Sequence, residues 1–100
     1  MKIGLLEQYI LQAVIGLHPN AYGVSIQDRL EGAGHKASIG SIYAAIERLE
    51  EKGFVKCRDG EPTKERGGRH KIYVTITAPG QRALHEALDV ADALNAWGRA

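Results

Sequence analysis

Two groups of residues have the types and spacing to do chemistry against a polyanion. The first is Ser38-Ile39-Gly40-Ser41-Ile42-Tyr43-Ala44. Read as the start of a helix, it turns small or hydroxyl-bearing side chains outward. Small residues allow close approach to a groove, and hydroxyls hydrogen-bond to backbone oxygens or base edges. The second group is Lys64, Arg66, Arg69 and Lys71, set around Gly67-Gly68. Cations on a glycine-flanked turn are positioned to reach phosphate. A polar hairpin tip can also be a merely solvated loop, but here it directly follows a helix that a major groove can accept.

Other chemistries lack their residues. His18, His35, His70 and His85 are scattered, and none has a His or Cys partner at metal-ligand spacing. Gly67-Gly68 is too short to cradle a phosphate, and no nucleotide fingerprint is present. Ser38 and Ser41 have no base placed beside them by a recognisable motif, so they read as cap and surface residues. Glu47, Glu50 and Glu51 alternate with Arg48 and Lys52, the pattern of a solvated helix face. The residues therefore predict no enzyme, no cofactor and no metal site.

Elements must hold the two groups in place. Leu5, Leu6, Tyr9, Ile10, Ala13, Val14 and Leu17 recur at helical spacing and predict a first helix, ended by Pro19-Asn20. Tyr22, Ile26 and Leu30 share one face of a second helix, which starts near Gly23 and stops at Gly32 and Gly34. Ser38 is a good N-cap for a third. Its buried stripe is Ile39, Ile42, Ile46 and Leu49, with Ala45 at a tight contact and Gly53 at the C′ position. The opposite face presents Gly40, Ser41, Tyr43, Ala44, Glu47, Arg48 and Glu51.

Phe54–Arg58 predicts a strand, broken by Asp59-Gly60-Glu61-Pro62. His70–Ile76 alternates, with Ile72, Val74 and Ile76 on one side and Lys71, Tyr73 and Thr75 on the other. Thr77 can cap a last helix with the stripe Leu84, Ala87, Leu88, Ala91 and Leu94, and Trp97 near its end. Such a stripe either folds back on its own core or packs against a partner. Three helices and a hairpin already supply a core, which favours the partner. Leu84, Leu88, Ala91 and Leu94 are accordingly expected at a homodimer seam.

The fold class expected is mainly α with a small β-hairpin. Residues 1–77 form a winged helix-turn-helix, and residues 78–100 form a C-terminal dimerisation helix. One hundred residues fit one domain and bury only a modest core. The composition, 44% hydrophobic and 25% charged, is that of an ordinary globular domain. Net charge is only +1, but residues 52–71 carry +4 while both flanks are negative. A local positive patch attracts phosphate even on a nearly neutral domain. No apolar run suits a membrane span, and the N-terminus lacks the pattern of a signal peptide. The lone Cys57 is consistent with a reducing compartment, and the expected location is the cytoplasm.

Motifs in a fixed order carry a family resemblance. They are Ala21-Tyr22-Gly23, then Ser38-x-Gly40-x-Ile42-Tyr43, then Arg48-Leu49-Glu50-x-x-Gly53. Gly60-Glu61-Pro62-Thr63-x-Glu65-Arg66-Gly67-Gly68-Arg69 follows, and after it Tyr73, Thr77 and Gly80. From about Leu5 to Leu88 the chain resembles PadR-family transcriptional regulators of the short type, with one C-terminal helix. The resemblance implies a dimeric winged-helix repressor on a pseudo-palindromic operator, its dimer built by the last helix with help from the first. It implies that Ser38, Ser41, Tyr43, Arg66 and Arg69 sit at the DNA. It departs at Ile72 and Val74, where relatives often carry basic or aromatic residues. In some relatives a tryptophan near the position of Trp97 lines an apolar pore that accepts a ligand. Trp97 is thus either an effector contact or a residue packed in the interface.

The expected DNA contacts are Ser38, Gly40, Ser41, Tyr43, Ala44, Glu47 and Arg48 on the third helix, with Lys64, Arg66, Arg69 and Lys71 on the wing. Glu47 repels phosphate unless it accepts from a cytosine amino group or stays clear of the backbone. The acidic positions Glu47 and Glu51 also suit a second reading, a winged helix that docks protein rather than DNA.

Overall fold

The structure, a computed structural model, describes residues 3–62 and 70–99, with the backbone alone at 61, 62 and 70. The expected wing contacts Lys64, Arg66 and Arg69 lie outside the described residues. Helix α1 spans Leu5–Leu17, α2 Gly23–Gly32 and α3 Ile39–Glu51. Strands β1 (Val55–Pro62) and β2 (His70–Ile76) form an antiparallel hairpin, and α4 (Ala78–Arg99) ends the fold. Ile10, Leu11, Val14, Ile26, Ile42 and Leu49 fill the centre. Among the described residues no helix is long and apolar enough to cross a membrane.

Ile10, Ala13 and Val14 of the expected α1 face are buried and Leu6, Tyr9 and Leu17 pack partly against the core, but the face also takes in Glu7 and Leu11. Glu7, Ile10, Leu11 and Val14 face inward at i, i+3, i+4 and i+7, while Leu5 is exposed. Glu7 tolerates burial because its carboxylate is fully engaged. It accepts from the Gly4 amide at 2.8 Å and from the Lys52 ammonium at 2.8 and 3.0 Å. This pair ties the start of α1 to the end of α3.

Helices α2 and α3 end alike. Gly34 at φ +99° and Gly53 at φ +78° sit in the left-handed region, where a side chain is strained. The turns close with His35 N–H on the Leu30 carbonyl and Phe54 N–H on the Leu49 carbonyl, each at 2.9 Å. The Gln27 side chain donates to the Ala37 carbonyl at 2.9 Å and braces the turn between the helices.

The first strand is longer than its residues predict. Asp59-Gly60-Glu61-Pro62 does not break it. Asp59 pairs with Ile72 and Pro62 with His70, so Gly60 and Glu61 together oppose Lys71. That two-against-one count is a bulge, which absorbs turn-forming residues without ending the ladder. Proline is tolerated because β1 is an edge strand. On its other side β2 meets the α1–α2 connection. Val74 N–H donates to the Ala21 carbonyl at 2.8 Å, and Tyr22 bridges Tyr73. The hairpin base is therefore fixed against the start of α2.

Thr77 caps α4 as expected, accepting from the Gly80 amide at 3.1 Å, and its hydroxyl donates to the Gly53 carbonyl at 2.7 Å. The apolar stripe of α4 divides. Leu84, expected at a partner seam, is instead buried in this chain's own core, and Leu88 packs partly against that core. The core takes the first turns of α4 because three helices and a hairpin leave its flank open beside α1. Further along, Ala91 is half-buried while Val90, Leu94 and Trp97 are exposed.

Candidate nucleic-acid interface

Ser38 has an extended backbone, and its side-chain oxygen accepts from the Ser41 amide at 3.1 Å. The same hydroxyl donates to the Ser41 hydroxyl at 2.9 Å, which leaves the Ser41 proton free to donate outward. The next backbone amides of α3 point from its open end, where the helix dipole favours an anion. Ile42, Ala45, Ile46 and Leu49 anchor the inner face. Ser38, Gly40, Ser41, Tyr43, Ala44, Glu47, Arg48 and Glu51 are all exposed. Every residue expected on the outward face of this helix is there.

Tyr43 is held by a contact the sequence does not advertise. Its ring lies over Gly23 at the start of α2, so closely that a Cβ there would stand 2.6 Å from ring atoms. Glycine at this position lets the tyrosine lean across from α3 to α2. Ser25 locks the entry to α2, its hydroxyl accepting from the Tyr22 amide at 2.9 Å and donating to the Asn20 carbonyl at 2.8 Å.

The hairpin stands beside this face. A groove of about 330 Å³ between them is lined by Tyr43, Glu47 and Glu50 from α3 and by Cys57, Arg58 and Ile72 from the hairpin, among others. Lys71, the one described member of the expected wing cations, sits opposite the bulge near the far end of the hairpin, with its ammonium 4.5 Å from the centre of the Tyr22 ring. Arg58 holds a similar place, its guanidinium 4.8 Å from the centre of the Tyr73 ring. Arg58, Tyr22 and Tyr73 were absent from the expected contacts. Alternation along β2 could have pointed to Tyr73, but the stacking partners come from three separate segments.

Two further side chains are tuned by their surroundings. Burial pushes the Cys57 thiol up, and the neighbouring Glu50 adds to this by charge and hydrogen bond, to about 11. Such a thiol stays protonated at neutral pH and is a poor nucleophile. Burial also acts to raise the Glu7 carboxyl. The Lys52 hydrogen bond, the Gly4 amide and the charges of Lys52 and Arg48 outweigh it, and the net shift is downward. Trp97 is 79% exposed, so a ligand resting on it would have to be enclosed by a second surface.

Known proteins match this geometry. The model of the transcriptional regulator PadR-like family matches residues 10–86. A PadR-like transcription factor from Bacteroides fragilis superposes with a TM-score of 0.74 at 24% identity, covering 96% of this chain and 88% of that one. Bacillus subtilis PadR, solved in complex with operator DNA, gives 0.68 at 24% identity, covering 84% of this chain and 46% of that one. A transcriptional regulator from Thermoplasma acidophilum gives 0.67 at 27% identity, covering 91% and 86%. No curated protein matches at the level of sequence. The family model covers most of the chain, and the fold superposes on these structures over most of its length. The chain belongs to the PadR-like family of transcriptional regulators, with the winged-helix fold of that family.

Proposed function

We propose that this regulator is a cytoplasmic repressor that binds a pseudo-palindromic operator as a homodimer. The observation that carries this reading is the outward face of α3, with Ser38, Gly40, Ser41, Tyr43 and Ala44 exposed at its amino-terminal end. Helix α3 enters the major groove by that end. Ser41 and Tyr43 donate to phosphates or base edges, and Gly40 and Ala44 leave room for close approach. Glu47 and Arg48 lie further along the same face, where Glu47 accepts from a cytosine amino group or stays clear of the backbone. Lys64, Arg66, Arg69 and Lys71 on the wing contact phosphates or the adjoining minor groove. That Bacillus subtilis PadR was solved in complex with operator DNA supports operator binding here.

Residues 1–77 are the DNA-binding unit in this reading, and the helix from residue 78 onward pairs two subunits. Leu94, with Leu88 and Ala91, contributes apolar surface to the seam. Two-fold symmetry then sets the two α3 helices about one duplex turn apart, ~34 Å. Trp97 becomes enclosed when two such helices meet, where it either packs or contacts an effector.

Selection from a pool of random duplexes tests the reading. The expected product is an enriched inverted repeat with half-sites spaced by one turn. Recovery of no preferred sequence, together with binding that is insensitive to salt, would replace it with the protein-docking reading. A duplex binder loses affinity steeply as salt rises, because phosphate contacts release counterions.

A further inference from the structure

We propose that the cavity between α1 and the carboxy-terminal end of α2 binds a small organic acid, its carboxylate held by Arg29 and its apolar body seated on Ala13 and Leu30. This goes beyond the duplex-binding reading and uses none of its residues. The cavity holds about 410 Å³, within the range of small-ligand sites.

Its shape follows from short side chains and one left-handed turn. Tyr9, Gln12 and Ala13 share a face of α1 at i, i+3 and i+4. Arg29, Leu30 and Ala33 meet them from the end of α2. Alanine at 13 and 33 leaves space that a larger side chain would fill. Gly34, at φ +99°, then turns the chain back, and His35 meets the Tyr9 ring edge-on at 4.9 Å. Ala13 and Leu30 are buried and give the cavity an apolar floor, while Gln12 and Arg29 are exposed at its rim.

The lining selects the charge of the ligand. Among the described residues that line the cavity, Arg29 alone carries a permanent charge and none is a carboxylate. Its guanidinium makes no ion pair or hydrogen bond with a described residue, and neither do the polar ends of Tyr9, Gln12 and His35. A planar guanidinium offers two parallel N–H groups that match a carboxylate. One cation balances one negative charge, which favours a carboxylate over a doubly charged phosphate ester. The end of α2 does not oppose an anion here. The amides of Ala33, Gly34 and His35 occupy the carbonyls of Arg29, Glu31 and Leu30, and Arg29 in the last turn offsets the negative end of the helix dipole. A single cation above an apolar floor suits an acid with a compact apolar body.

The test follows the backbone amide resonances of the isotope-labelled chain. Benzoate and cyclohexanecarboxylate are the probes, and their uncharged amides, benzamide and cyclohexanecarboxamide, are the controls. Both acids should shift the resonances of Tyr9, Gly34 and His35 in a saturable way, and bind more tightly than the amides by about ten-fold or more. Arg29→Gln should bring the acids down to the level of the amides and leave the melting temperature at the parent value, because Arg29 is exposed and holds no described partner. Ala33→Phe fills the space from its exposed rim and should remove the shifts. The inference is overturned if neither acid gives saturable shifts at these residues, if the amides bind as tightly, or if Arg29→Gln keeps the parent affinity. Saturable shifts confined to α4 around Trp97 overturn it as well. None of these outcomes depends on whether the chain binds a duplex.

Discussion

Gly23 shows how one absent methyl group shapes an interface. A Cβ there would meet the far end of the Tyr43 side chain, which is half-exposed and free to swing away. Gly23 is buried, but the group a new methyl would meet is the movable end of a side chain, so Gly23→Ala should change the melting temperature little. It should lower affinity for operator several-fold in a binding titration, because Tyr43 leaves its place. Glu7 makes the opposite case, a charged residue that serves stability. Its carboxyl sits below the ordinary range because Lys52, Gly4 and nearby positive charge overcome the effect of burial. A lowered folded pKa means the contribution is complete above the unfolded value and is lost as pH falls through the folded one. Glu7→Gln should cost roughly 1.5–3 kcal/mol at neutral pH in denaturant unfolding. It should also flatten the acid side of the curve of stability against pH. Cys57, with its thiol raised to about 11, should react with a thiol reagent at pH 7 far more slowly than free cysteine.

At the scale of elements, α3 depends on its two ends. Ser38 orders the open end that faces outward, and Gly53 reverses the chain into the hairpin. Gly53→Ala at φ +78° should cost about 1–2 kcal/mol, visible as a melting temperature lower by several degrees. Both ends were legible in the sequence, because caps and C′ glycines are local signals. So was the outward face of α3, which follows from the period of Ile42, Ile46 and Leu49. Glu7 was not legible, since its partner lies 45 residues away and a charge interrupts the apolar pattern. The extension of β1 was missed because Asp59-Gly60-Glu61-Pro62 has turn chemistry, and only pairing with Ile72 and His70 makes it strand. Leu84 reads as part of one continuous stripe, yet the flank of α1 claims it and leaves Leu94 outside. The cation–aromatic stack joins residues 22, 58, 71 and 73, and no local pattern announces such a contact.

The whole molecule is elongated, 53 × 27 × 20 Å, with a radius of gyration of 14.5 Å. A compact chain of this length has about 13 Å. The excess reflects α4, whose far half carries Val90, Leu94 and Trp97 exposed. In the proposed homodimer that half lies in the seam. Leu94→Asp should then leave the fold intact and shift the chain from dimer to monomer in sedimentation, since a charge would be buried without a partner. An unchanged dimer would put the interface elsewhere. The central claim is that the outward face of α3 enters a duplex groove. Ala44 is exposed on that face, beside but not within the buried stripe. The most direct measurement compares the parent with Ala44→Glu in equilibrium binding to the selected duplex, with melting temperatures alongside. The variant should lose operator binding and melt as the parent does. Full affinity in a folded Ala44→Glu variant would contradict it.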